Sequence, residues 1–316
     1  MFYEGYWFDT SLTSTVAYFI ISFVTILGNI LVFVSFHRDP YRQLRSLQNY
    51  FIVNLAVSDL FMGTLAEWLL IATYWVNLPD VFFAHYLGAI ISGISSLLNM
   101  TALSIYRYFV VKNPLTYHDI ITRKRVIAAI VAVWIYTFHL ILLPLSGWQS
   151  EGYQIYLYSL GCVLPSCVIF VTYFGVFITI RAHTKNLKTT ANSQNSALKS
   201  AVNREKATTK TMLILLAVFV VFWFPFLAID IVMVQCIPCR ESHSLHVARD
   251  VALTFTYFSS GINPLLYAWR VQQFRRAFIR VLGLKKLNCW SKNRVGNNMR
   301  NAQTVIERDP RTAWVT

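Results

Sequence analysis

Residues 95–117 read SSLLNMTALSIYRYFVVKNPLTY: an apolar helical run with a single arginine, Arg107, between Tyr106 and Tyr108, leaving through Lys112, Asn113 and Pro114. An arginine in the last turn of a long hydrophobic helix is costly unless it pairs, snorkels to an interface or faces a cavity. The stretch therefore raises two questions about the rest of the chain. One is which solvent surrounds so apolar a helix, and the other is what the arginine meets.

Composition answers the first. Of 316 residues, 56% are hydrophobic and 13% charged, with mean hydropathy +0.48, whereas a soluble domain carries roughly a quarter charged residues. Lipid is the solvent. Crossing about 30 Å of hydrocarbon takes about 20 apolar residues, and seven runs meet that length: 12–36, 48–74, 83–111, 126–146, 153–180, 207–235 and 247–269. No charged region followed by a small-residue cleavage site precedes the first run, so it reads as an uncleaved span.

The net charge of +14, from 28 Lys and Arg against 14 Asp and Glu, is distributed by side. Arg38, Arg42 and Arg45 follow span one, Arg123, Lys124 and Arg125 precede span four, and Arg181, Lys185, Lys188, Lys199, Arg204 and Lys206 lie between spans five and six. Residues 1–11, 75–82 and 147–152 hold Glu4, Asp9, Asp80 and Glu151 and no Lys or Arg. The positive-inside rule then puts the N-terminus outside and the tail in the cytoplasm. This placement argues against nucleic acid as the partner and for anionic membrane lipids or an acidic cytosolic protein.

Polar residues inside the spans mark where helices meet. Asn29 sits alone in LGNILVF of span one, and Asp59 lies near the middle of span two. A carboxylate in hydrocarbon must pair, bind a cation or take a proton. Span three supplies Ser96 and Asn99, and span seven supplies Ser259, Ser260 and Asn263 in FSSGINPLLYAWR. One carboxylate with several neutral oxygens suits a small monovalent ion; it equally suits a polar network that joins helices. Pro165, Pro225 and Pro264 interrupt spans five, six and seven, each freeing a backbone carbonyl and bending its axis.

Outside the spans, residues 1–11 form a short outer segment and 182–206 a polar Ser/Thr/Asn/Lys-rich loop. In 270–286, Phe274, Phe278, Ile279 and Leu282 at helical spacing among Arg275, Arg276, Arg280, Lys285 and Lys286 predict an amphipathic helix on the inner leaflet. A tail, 287–316, follows, with Cys289 as a palmitoylation candidate or a free thiol. The expected architecture is an all-α membrane protein: a seven-helix bundle over 12–269 with an eighth, amphipathic cytoplasmic helix.

These pieces resemble the rhodopsin-like (class A) G-protein-coupled receptors. The likeness rests on GN at 28–29, LAVSD at 55–59, Trp134, Pro165 with Tyr173, FVVFWFP at 219–225 and NPLLY at 263–267, one motif in nearly every span and in order. It implies a plasma-membrane receptor that binds an extracellular ligand and opens its inner half to a heterotrimeric G protein, with arrestin and a receptor kinase as further partners. It implies roles too. Arg107 and Tyr108 are the last two members of the conserved Asp-Arg-Tyr triplet, and Glu205 the acid that locks Arg107. Trp223 is the toggle below the ligand, and Leu97, Pro165 and Phe219 the repacking core, with Pro225 the kink beside them. Asp59, Ser96, Ser259, Ser260 and Asn263 hold sodium as an allosteric ion, and no other cofactor is implied. Tyr173, with Asn263, Pro264 and Tyr267 of span seven, belongs to the switch, the two tyrosines swinging toward Arg107 on opening.

Departures from the family pattern are as informative. Tyr106 replaces the triplet's acid, which predicts raised basal signalling. The usual span-three cysteine gives way to Phe82 or Phe83, and Cys236 and Cys239 stand together as CIPC in the third outer loop, where a local disulfide is expected on the oxidising side. Span seven has no lysine between Val251 and Trp269, which excludes a retinal Schiff base. Ala89 stands about where amine receptors place an aspartate. The ligand candidates are Glu67, Ala89, Gly93, Trp223, Phe226, Asp230 and Tyr257, with Glu67 favoured as a functional acid and Asp230 read as a solvated interfacial one. The lost cysteine, the short second outer loop and the CIPC pair are similar to melanocortin receptors, and NPLTYHDIITRKR to the wider group with adenosine, cannabinoid and lysophospholipid receptors. A peptide, a nucleoside and a lipid all stay open as ligands. The rival class is a seven-span transporter or ion pump, which would place several acids along one path. No nucleophile, base and oxyanion site converge as an enzyme requires.

Overall fold

The computed structural model describes residues 12–76, 78–113, 116–189, 214, 217–233 and 235–284. Glu205 and Cys289 lie outside them, so the Arg107–Glu205 lock and the lipidation site do too. The described residues fold into α1 (Leu12–Arg38), α2 (Leu47–Trp75), α3 (Pro79–Lys112), α4 (Arg123–Leu145), α5 (Glu151–Ala182), α6 (Ala217–Met233), α7 (His243–Arg270) and α8 (Gln272–Val281). The one-turn helix Tyr117–Ile120 joins α3 to α4. The first five are each long and apolar enough to cross a membrane, the described part of α6 is a shorter apolar helix, and α7 has 28 residues. Together they make the expected seven-helix bundle.

Local chemistry sets the ends. Pro79 opens α3, where its fixed φ suits the first turn. Thr122 caps α4 by accepting from the Arg125 N–H. Beyond α4, Gly147 takes a left-handed φ of 99°, and Gly147 and Trp148 donate their N–H groups back to Pro144 and Leu143. Both α3 and α7 begin four residues before the apolar runs at 83 and 247, because a helix continues past the hydrocarbon edge wherever its first turn is preset or capped.

The central helix is α3, packed against α2, α4 and α5, while α1 closes the ring against α2 and α7. Burial is inverted relative to a water-soluble protein. Ser22, Asn29, Asn54, Ser58, Asp59 and Asn99 are buried, whereas Phe170, Val171 and Phe174 of α5 are 72%, 67% and 58% exposed. In lipid the exposed apolar side chains cost nothing, and close packing with interhelical hydrogen bonds supplies the association. Gly28 shows the packing: a Cβ there would lie 2.9 Å from the Pro264 ring, so only glycine lets α1 lie on α7 at that point.

Two helices are loosened by wider turns. In α2 the stretch Met62–Ala66 is π-helical, and in α5 so is Leu157–Val163, immediately before Pro165. The irregularity of α5 therefore precedes its proline. Helix α8 departs from the sequence reading in one respect: Phe274 and Phe278 are buried against the bundle, where Phe274 meets Tyr267, and only Leu282 stays exposed. Its apolar face is taken up largely by protein. Cys162 is a buried thiol as expected, but Cys167 faces outward.

Candidate functional site

Three polar levels are stacked through the bundle. The outer one is a cavity of about 140 Å³ lined by α3, α5, α6 and α7, comparable with the roughly 150 Å³ that admits a benzene-sized ligand. Ala89, Gly93, Trp223, Phe226, Asp230 and Tyr257 all line it. Asp230 is not the solvated residue its sequence position implied. It accepts a hydrogen bond from the Tyr158 hydroxyl of α5 and faces the cavity.

Glu67 is the opposite correction. It is fully buried, yet it does not line the cavity, and neither carboxyl oxygen has a hydrogen-bond partner among the described residues. The π turn explains the placement. Eight residues at about 100° each would set Glu67 about 80° round the helix from Asp59; one residue inserted by the wider turn cancels most of that rotation. Glu67 thus rises above Asp59, close enough for the two carboxyl groups to interact electrostatically.

The cavity also holds His85, Tyr158 and Arg249, which the sequence reading passed over. His85 Nδ1 is 3.0 Å from the Ala66 carbonyl and Nε2 is 3.4 Å from the Tyr257 hydroxyl. Arg249 is 2% exposed, with one guanidinium nitrogen 3.4 Å from Asp250. The signal for both was helix length: the early starts of α3 and α7 carry these residues into the bundle. Beyond the cavity, Cys236 and Cys239 are joined in a disulfide within a short 3-10 turn region.

The middle level lies beneath Trp223. Its indole stacks on Phe219, with ring centroids 5.2 Å apart and planes 17° apart, and both rings border a second, small cavity of about 10 Å³ lined by Asp59, Ser96, Ser259, Ser260 and Asn263. Ser96 donates to one Asp59 oxygen at 3.3 Å and Asn263 to the other at 2.8 Å. The volume is about that of one water or a small ion, and the lining is a carboxylate with neutral oxygens. Beside it, Trp134 donates to Asn54 at 2.9 Å, Asn54 to Asn99, and Asn99 to Ser58 at 3.3 Å, tying α4, α2 and α3 together. Asn29 reaches the Ser260 carbonyl at 3.3 Å and ties α1 to α7. Leu97 and Phe219 share one core cluster, with Pro165 buried beside them.

At the inner level Arg107 is 3% exposed, its guanidinium 5.8 Å from the Tyr106 ring centroid. Tyr106 in turn meets Phe51 of α2 at 6.0 Å, so an aromatic contact stands where the triplet's acid would be. Tyr108 leans on α5 at Gly175, where a Cβ would lie 2.7 Å from its ring. Tyr173 packs between the two main core clusters. Tyr267 is wholly buried beside Phe274, at 5.8 Å, and its hydroxyl has no hydrogen-bond partner among the described residues.

Comparison with known proteins gives this geometry a family. Residues 28–267 match the family described as 7 transmembrane receptor (rhodopsin family). The adenosine receptor A2a of Equus caballus is 26% identical, the match covering 83% of this chain and 70% of that one. The adenosine receptor A2b of Canis lupus familiaris is 24% identical over 91% of this chain and 94% of its own length. The histamine H2 receptor of Cavia porcellus is 28% identical over 84% and 78%. Among solved structures, squid rhodopsin superposes with a TM-score of 0.76 at 20% identity, covering 86% of this chain and 85% of that one. With its helix order, its motifs and three quarters of its length in agreement, the chain belongs to the rhodopsin family of seven-transmembrane receptors and is a receptor rather than an enzyme.

Proposed function

We propose that this receptor converts occupation of its outer cavity by a small extracellular ligand into activation of a heterotrimeric G protein on its cytoplasmic side. The observation that carries the reading is the Trp223–Phe219 stack. Trp223 lines the outer cavity and, with Phe219, the Asp59 cavity, so a ligand that shifts the indole shifts both levels at once. Packed interiors answer such a shift by switching between discrete arrangements. Aromatic walls with charged groups at one end favour a compact ligand with a flat body over a lipid chain. Relatives named for adenosine and histamine fall in the same size class.

The Asp59 cavity fits sodium: Asp59, Ser96, Ser259, Ser260 and Asn263 would hold it. Bound there, the ion would supply positive charge between α2, α3 and α7 and favour the closed packing. At the inner end, the resting state lacks the triplet's acid, so Glu205 is left as the lock on Arg107. Tyr267 carries a buried, unsatisfied hydroxyl, a burden of about 1–3 kcal/mol that a packing with a partner for it would relieve. Both features lower the barrier to opening and support raised basal activity. Arrestin, a receptor kinase and membrane lipids complete the partners, with the receptor in the plasma membrane and its N-terminus outside.

The test is G-protein dissociation in cells expressing the receptor without added ligand, beside Tyr106→Asp. Basal signal above that of untransfected cells, lowered by the substitution, is expected; a basal level that Tyr106→Asp leaves untouched contradicts the reading.

A further inference from the structure

Asp230 of α6 and Arg249 of α7, opposite in charge and on neighbouring helices, line the same outer cavity. The Tyr158 hydroxyl orients the Asp230 carboxylate from α5, and Asp250 holds Arg249 from behind at 3.4 Å. Between and below them the walls are Tyr86, Trp223, Phe226 and Tyr257. On α3 the facing position is Ala89, so that helix supplies no acid there. A ligand with one charge would satisfy one of these groups and cover the other with an apolar body, and a buried charge stripped of its counterpart is strongly disfavoured. A ligand with both charges meets both.

We infer that the cavity takes an amino-acid-like zwitterion with an aromatic body: its ammonium on Asp230, its carboxylate on Arg249 through the fork geometry that guanidinium groups offer carboxylates, and its ring above Trp223. This rests on reading the outer cavity as the ligand site. The acid that anchors the ammonium has moved from α3 to α6, and the arginine adds a requirement that simple amines fail.

The experiment melts purified receptor, without G protein, in the presence of two matched trios: tryptophan, tryptamine and indole-3-propionate; phenylalanine, phenethylamine and 3-phenylpropionate. In at least one trio the zwitterion binds about tenfold or more tighter than either single-charge analogue, the yield of one charge-assisted contact. Asp230→Asn removes its advantage over the acid, and Arg249→Gln its advantage over the amine. Arg249→Lys restores part of the latter, which shows that the loss is one of charge and not of folding. Zwitterions that bind no tighter than their analogues, that are indifferent to both substitutions, or that do not bind at all overturn the inference. Two further outcomes separate it from the functional reading. Charge-dependent binding without G-protein activation refutes the coupling and leaves the zwitterion site standing. Tryptophan binding that survives Ala89→Trp, whose indole fills the cavity, removes the cavity as the ligand site and the inference with it.

Discussion

Asp59 and Glu67 are two carboxyl groups on one helix, both buried, and their surroundings could hardly differ more. Asp59 sits among hydrogen-bond donors from α3 and α7 and beside a cavity of ion size. Glu67, raised above it by the π turn, has no hydrogen-bond partner among the described residues and is covered by Tyr18, Met62, Leu70 and Tyr257 of the outer core. The middle of the bundle is a completed polar joint, and the outer part of α2 carries an unsettled one. Burial of an acid in this fold therefore has two meanings, and hydrogen-bond partners tell them apart.

Substitution by leucine separates the two most sharply. Asp59→Leu strands the Ser96 and Asn263 donors and lowers thermal stability, while Glu67→Leu removes an unsatisfied group and raises it. At about 1–3 kcal/mol per stranded or relieved group, the two melting temperatures move in opposite directions, and movement in the same direction breaks the comparison. A smaller effect is expected at the seam between the levels. The Cβ of Gly93→Ala would lie 2.2 Å from the Trp223 ring, and overpacking of this kind costs about 1–3 kcal/mol. Since it pushes on the stack, ligand-free G-protein activation changes by several-fold; an unaltered basal rate would uncouple Trp223 from the inner level. The smallest effect belongs to Cys236→Ser with Cys239→Ser. That disulfide spans a sequence separation of 3, and so short a loop contributes about 2 kcal/mol at most. Stability of the bundle should hardly change, as thermal melting will report.

The bundle and its inner and middle levels were legible because a polar residue in an apolar run has few reasons to be there. Asn29, Asp59, Ser96, Asn99, Arg107 and Asn263 stand out against leucine and valine, and the structure gathers them at helix contacts. The outer level was not legible for a geometric reason. His85 and Arg249 lie where apolar runs begin, a place that ordinarily holds solvated residues, and only the four extra residues at the start of α3 and α7 turn them inward. Glu67 was misdirected by a π turn, which leaves no periodic trace in composition. Asp230 was read as solvated because nothing in sequence shows that Tyr158, on another helix, reaches it.

Nucleotide exchange on a purified G protein by the purified receptor tests the central claim most directly, with the intact chain beside Arg107→Ala. The receptor should accelerate GDP release even without ligand, and Arg107→Ala, which removes the one charge buried at the inner level, should abolish most of that acceleration. Exchange at the same rate with the substituted receptor would contradict the account.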